Sequence, residues 1–148
     1  MFTFEKSIFI NRPPQEVFDY ITDPDNDSNW RTTAVSAEWT SADPVGVGST
    51  QRTVGKFLGR KIDSTNEVTV WDPPNQFAFK SIDGSIPVAI SQTLAAKDNG
   101  TQLTINLEAE LAGFFKMAEG LVGKQAEKQM DTDFNALKLV LEADQASA

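Results

Sequence analysis

The 148-residue sequence contains no cysteine and no histidine, and only one tyrosine. Without cysteine there is no thiol nucleophile, no disulfide framework and no clue to redox compartment. Without histidine the chain lacks the usual general base near neutral pH and the commonest zinc ligand. Long apolar runs are missing too. No stretch approaches the roughly 20 apolar residues of a membrane-spanning helix. The N-terminal MFTFEKSIFI alternates polar with apolar residues and lacks a basic region, unlike a signal peptide. Basic residues are in the minority: 13 Lys and Arg against 21 Asp and Glu give a net charge of −8. That sign opposes tracking along a phosphate backbone. The expectation is a cytoplasmic protein with no nucleic-acid partner, no membrane insertion, no metal and no cofactor. The length fits one domain over residues 1–148.

Phe2, Phe4, Ile8 and Ile10 share one parity, so residues 2–10 read as a strand with one buried face. Arg12-Pro13-Pro14 then opens a helix, where a missing N–H costs nothing. Val17, Phe18 and Ile21 follow at helical spacing, and Asp23-Pro24 ends the run. The loop 25–29 has room for one further short turn, with Trp30 as its anchor. Six strands follow. Val35, Ala37 and Trp39 mark the first; residues 49–57 and 60–71 form a pair joined near Leu58-Gly59. Phe77 and Phe79 mark the next, and Val88, Ile90 and Leu94 the one after it. Asn99-Gly100 is the strongest hairpin signal, and residues 103–111 alternate without a break.

After Gly113 the period changes to that of a long helix over 114–143. Ala118, Val122, Ala126, Met130, Leu137 and Val140 form one stripe. Phe114, Met117 and Leu121 lie roughly a quarter turn away. Gly120 and Gly123 fall between the stripes, so either the helix kinks there or its first turns face another partner. Short hairpins favour an antiparallel meander, and the long helix must bury its stripe on that sheet. A seven-stranded sheet curled around one helix tends to leave an interior cavity.

The order and its residues resemble the START-like superfamily, also called SRPBCC or Bet v 1-like. More narrowly they resemble the bacterial polyketide cyclase/dehydratase-like proteins. The carriers are IxRPPxEVFDYITDPD at 10–25 with Trp30, GVGS at 46–49, FLGR at 57–60, EVTxxxPPxxFAF at 67–79 and GFFKMAE at 113–119. The resemblance implies an α+β helix-grip fold. A seven-stranded curved antiparallel sheet wraps around the C-terminal helix, with one or two short helices after the first strand. It also implies a hydrophobic pocket between sheet and helix, rimmed by the short helices. Members of the superfamily bind lipids, sterols, polyketides and other apolar or aromatic molecules, and some are cyclases. A cyclase mechanism that depends on histidine is out of reach here.

Other local motifs read as turns. Asp23-x-Asp25-x-Asp27 lacks the glycine and glutamate of a calcium loop at residues 28 and 34. Gly46-x-Gly48 lacks a third glycine and a βαβ setting. Lys56, Arg60 and Lys61 read as a solvated hairpin tip.

Polar residues in phase with apolar ones are the informative set. They are Arg52 with Val54, Asn66 with Ile62, Val68 and Val70, Ser81 after Phe77 and Phe79, Gln92 between Ile90 and Leu94, and Gln129 and Asp133 within the helical stripe, with Gln125 at its edge. Buried polar groups need partners, which are each other, water or a ligand. Asp133 facing Arg52 would be either a structural ion pair or an acid/base pair, and a one-residue slip in strand parity would separate them. Tyr20 is placed at the cavity mouth or in rim packing. Phe114, Phe115, Met117 and Leu121 read as a pocket entrance or lid, or as core. The ligand-binding candidates are therefore Tyr20, Trp30, Arg52, Asn66, Phe79, Gln92, Phe114, Met117, Leu121, Gln125, Gln129 and Asp133.

The leading expectation is a protein that binds a small hydrophobic molecule. One alternative is a cyclase or dehydratase acting on a polyketide-like substrate through Asp133, Arg52 and Tyr20. Another is an interaction module, for instance a homodimer through an outer sheet face. Thr104, Asn106, Glu108 and Glu110 make that face polar on one strand, which counts mildly against it.

Overall fold

The computed structural model describes residues 2–31, 34–42, 44–84 and 86–146, apart from the side chains of Phe114 and of residues 144–146. The elements are β1 (Phe2–Ile10), α1 (Pro14–Ile21), a 3-10 turn (Pro24–Asn26), α2 (Asp27–Trp30), β2 (Ala34–Trp39), β3 (Thr50–Phe57), β4 (Arg60–Asp72), β5 (Gln76–Gly84), β6 (Val88–Lys97), β7 (Gly100–Ala109), α3 (Phe114–Met117) and α4 (Glu119–Ala146). The architecture is the α+β helix-grip fold: one seven-stranded antiparallel sheet curved around α4.

Strand order is β1-β7-β6-β5-β4-β3-β2. The chain meanders from β2 to β7, and β1 pairs with β7, so β1 and β2 are the two edges. Consecutive strands β1 and β2 therefore sit at opposite ends of the sheet, and their connection must cross its open side. The prolines and acidic residues of segment 12–30 build that crossing. Pro13 and Pro14 start α1, which buries Val17, Phe18 and Ile21. The Thr22 hydroxyl donates to the Phe18 carbonyl at 2.7 Å where α1 ends. The Asp23 carboxylate then accepts from the Asp25 N–H at 3.0 Å and caps the 3-10 turn. The short α2 follows and buries Asp27 and Trp30.

Two hairpins have two-residue loops with both residues at positive φ: Leu58-Gly59 and Asp98-Asn99. Such turns match the strand twist. The second sits one residue earlier than the Asn99-Gly100 signal suggests. Gly100 is the first residue of β7, and a Cβ there would come within 2.6 Å of the Ile10 carbonyl oxygen and the Phe9 ring. Close backbone approach, not turn conformation, calls for glycine at 100.

The sheet interior has a solid half and a hollow half. Ile10, Val17, Phe18, Leu94, Leu103, Phe134, Leu137 and Leu141 fill the solid half beneath the C-terminal part of α4. The helix turns slightly from its expected stripe, so Phe134 and Leu141 are buried where Val140 is only partly so. Polar ties hold this part of α4 to β1. Lys6 pairs with Asp131. Lys138 Nζ donates to the Phe9 carbonyl at 2.9 Å, and Glu142 accepts from Lys138 at 2.6 Å and from the Asn11 N–H at 3.0 Å. Burial pushes the Glu142 carboxyl up, but these donors outweigh it and hold it below the usual range. The helix is interrupted at Ala118, between α3 and α4, ahead of the glycine pair.

Two tests follow from this packing. Gly100→Ala should destabilise the fold by about 2 kcal/mol, the scale of overpacking, as read by denaturant unfolding. Glu142→Gln should cost about 1 kcal/mol at neutral pH. Because the folded Glu142 is more acidic than the unfolded one, its contribution is present above the unfolded pKa. It is lost as pH falls through the folded pKa, so the variant should show a shallower acid limb of stability against pH.

Candidate functional site

The hollow half lies beneath the N-terminal part of α4. It is a cavity of about 290 Å³. Alternation along the strands supplies much of the wall: Phe2 and Phe4 from β1, Phe77 and Phe79 from β5, Val88 and Ile90 from β6, Ile105 and Leu107 from β7. Val122, Ala126 and Met130 form the roof from α4. Phe115 of α3 is buried, lines the cavity and lies 6.2 Å from the Phe57 ring, centroid to centroid. Among the described lining residues, nineteen of twenty-eight are apolar.

The polar lining residues fall into three groups. On the sheet are Gln51, Thr53, Ser64 and Asn66. Ser64 Oγ donates to Asn66 Oδ1 at 3.0 Å, and Asn66 Nδ2 donates to Thr53 Oγ1 at 3.3 Å. On the helix are Gln129 and Asp133, with Gln129 Oε1 accepting from Gln125 at 3.4 Å. At the crossing segment are Thr22, Asp27 and Arg31, beside Trp30. The Arg31 guanidinium lies over the Trp30 ring, 4.7 Å from its centroid. Asp27 is buried, and desolvation pushes its carboxyl above the usual range. Arg31 acts against that shift, and Asp23 adds to it.

Of the expected residues, Trp30, Asn66, Phe79, Gln129 and Asp133 line this cavity, and Gln125 reaches it only through Gln129. The others lie elsewhere. Arg52 faces outward and forms a two-bond ion pair with Asp63, at 3.1 Å and 2.6 Å. The inward residues of β3 are Gln51, Thr53 and Phe57, so the parity is the reverse of the Arg52–Val54 expectation, and Arg52 pairs with Asp63 instead of Asp133. Gln92 is fully buried but does not line the cavity; it lies between cavity-lining Ile90 and core Leu94. Tyr20 packs against the core, off the cavity wall. Met117 is 91% exposed and Leu121 54%, and neither lines the cavity; Phe115, buried, lines it instead. The side chain of Phe114 lies outside the described residues.

Asp27 and Arg31 lacked a periodic signal, while Phe115 belonged to the apolar group expected at the pocket entrance. Asp27 and Arg31 sit in a short irregular crossing, where neither strand nor helix spacing assigns a face. A bulge on β4 between Val68 and Val70 also shifts the phase, turning Trp71 rather than Val70 inward against Phe18, Trp39 and Phe77.

A curved sheet gripping one helix over an apolar cavity defines the START-like, Bet v 1-like class. A family model described as "Polyketide cyclase / dehydrase and lipid transport" matches residues 1–142, and the chain belongs to that family. It is similar to an uncharacterized protein of Mycobacterium tuberculosis, 26% identical over 116 residues that make up 76% of this chain and 68% of the other. The crystal structure of TTHA0849 from Thermus thermophilus aligns with a TM-score of 0.82 at 20% identity, covering 96% of this chain and 98% of that one. The Zhui aromatase/cyclase of Streptomyces sp. R1128 aligns at 0.77 and 15% identity, covering 95% and 93%. At these identities the structural likeness speaks for the fold alone. No helix among the described residues is long and apolar enough to cross a membrane.

The buried Asp27 gives a test of the site's electrostatics. Its raised folded pKa means that stability falls as pH climbs from the unfolded value, 3.8 for an ordinary Asp, through the folded one. Asp27→Asn should therefore be more stable than the parent near pH 7. The difference should vanish below about pH 3, where both states of the parent are protonated. Thermal melts across this range check it.

Proposed function

We propose that the protein binds a small hydrophobic or aromatic molecule, lipid- or polyketide-like, in the cavity between the sheet and α4. The supporting observation is an apolar chamber of about 290 Å³ with a few polar groups grouped on its wall. Ligand sites have this character, and this volume is at the small end of their range, roughly 300–1,000 Å³. Family membership agrees with a ligand-binding fold, although the fold alone does not choose between carrying and converting a ligand. Binding is the better-supported reading. Of the three groups that acid/base chemistry would use, only Asp133 lines the chamber; Arg52 and Tyr20 do not.

Native mass spectrometry with solvent extraction should reveal a co-purifying apolar or aromatic molecule. Ala126→Phe places a ring in the roof of the chamber. It should weaken binding of a hydrophobic fluorescent probe at least tenfold, the order expected when a well-filled apolar site is blocked. Thermal melting shows whether the variant is folded. Unchanged probe affinity in the folded variant, or no probe binding by the parent, would remove the proposal.

A further inference from the structure

The net charge of −8 is unevenly spread along the chain. Segments 55–62 and 113–128 together carry six Lys and Arg against two Glu, while the rest carries seven basic residues against nineteen acidic ones. The fold brings these two segments together at one end of the chamber. The Phe57 ring of β3, next to the β3–β4 turn, lies 6.2 Å from the Phe115 ring of α3. Phe115 and Val122 both line the chamber.

Two features of this end are unfavourable for an isolated chain in water. Lys56 and Lys61 stand directly opposite each other on β3 and β4, and both are exposed. Like charges so placed destabilise a sheet. Asp63 feels Lys61, but it is already held by two bonds from Arg52. On the helices, Met117 is 91% exposed and Leu121 54%. Lys116 adjoins Met117, and Lys124 and Lys128 continue the Leu121 face of α4 at spacings of three and then four; all three lysines are exposed. Scattered exposed apolar side chains are ordinary. A pair of them set among cations, in an otherwise acidic protein, is a distinct surface.

Its chemistry suits an anionic lipid surface. Headgroups supply negative charge to long basic side chains without demanding a fixed geometry. The layer beneath them accepts short apolar side chains. A folded protein partner needs a contiguous complementary face, about 800 Å² in a standard interface. Two apolar side chains spaced among lysines present charge rather than shape.

We propose that the protein docks on anionic lipid surfaces through this end, with Met117 and Leu121 entering the headgroup layer and the lysines of α3, α4 and the β3–β4 hairpin facing it. The contact is peripheral and spans nothing. It does not depend on what the chamber holds.

Co-sedimentation of the purified protein with vesicles tests it, comparing phosphatidylcholine alone with a phosphatidylcholine–phosphatidylserine mixture at low and physiological salt. A protein of net charge −8 is repelled by the mixed vesicles unless one face reverses the sign. The expected result is binding to the mixed vesicles, little to phosphatidylcholine, and weakening as salt rises. Replacing Lys56 and Lys61 together by Gln should weaken binding about tenfold. Met117→Ser should weaken it about fivefold. Lys97→Gln, at the β6–β7 hairpin on the opposite end of the sheet, should leave it unchanged. All these positions are exposed, and thermal melts check that each variant folds. No binding of the parent to mixed vesicles at low salt would overturn the proposal, whether or not the variants fold. Binding that survives both patch substitutions, or falls equally with Lys97→Gln, would overturn the assignment to this end. Binding to soluble polyglutamate without binding to vesicles would replace the lipid surface by an acidic protein partner. None of these results bears on whether the chamber holds a ligand.

Discussion

The seating of α4 on β1 is the constraint on which the other features depend. One helix must cover the concave face of seven strands, and it is held tightly along only part of its length. Phe134, Leu137 and Leu141 fill the interior under that part. Lys138 and Glu142 bind the backbone at Phe9 and Asn11, where β1 ends. These are charge-assisted bonds, stronger than neutral ones. With its C-terminal part held there, the N-terminal part of α4 spans the sheet as a roof. Val122, Ala126 and Met130 lie above the chamber instead of closing it.

The second constraint is topological. Because β1 and β2 are opposite edges of one sheet, the chain between them has to cross the open side. A single long helix would have to bury a long stripe there. Two short helices and a capped turn bury only Val17, Phe18, Ile21, Pro24, Asp27 and Trp30, and still close that side. The same crossing brings Asp27, Trp30 and Arg31 to the cavity wall. Structural closure and part of the cavity's polar wall thus share one segment.

The chamber is asymmetric in its polarity. On its sheet side Ser64, Asn66 and Thr53 bond one another, while its crossing side carries a desolvated carboxyl, a stacked guanidinium and an indole N–H without a partner among the described residues. Apolar bulk provides most of the driving force for filling such a space, at roughly 25 cal/mol per Å² of buried apolar surface. Orientation of what fills it depends on the few polar groups. Family membership and fold are common to carriers and cyclases, so the difference between them has to reside in those groups.

Much of the architecture was legible in the sequence because it rests on local rules. Period-two alternation marked the buried face of β1 and the run of β7. Proline placement bounded α1, and turn residues located the β3–β4 hairpin and, to within one residue, the β6–β7 hairpin. The inward facing of Asn66, Gln129 and Asp133 came from the same periodicities. Three features escaped it. On β3 both faces carry polar residues, so the phase with Val54 turned Arg52 inward wrongly, and the strand's true facing comes from its pairing with β4. On β4 the bulge before Val70 changes parity within the strand. At Ala118 the helix breaks, and of the apolar group expected at the pocket Met117 and Leu121 face solvent while Phe115 is buried. Sequence alone determined the elements, their order and the grip of sheet on helix, because these follow from spacing along the chain. Tertiary structure decided which polar residues meet in the chamber, because that depends on strand register, bulges and a crossing between distant edges, none of which spacing encodes.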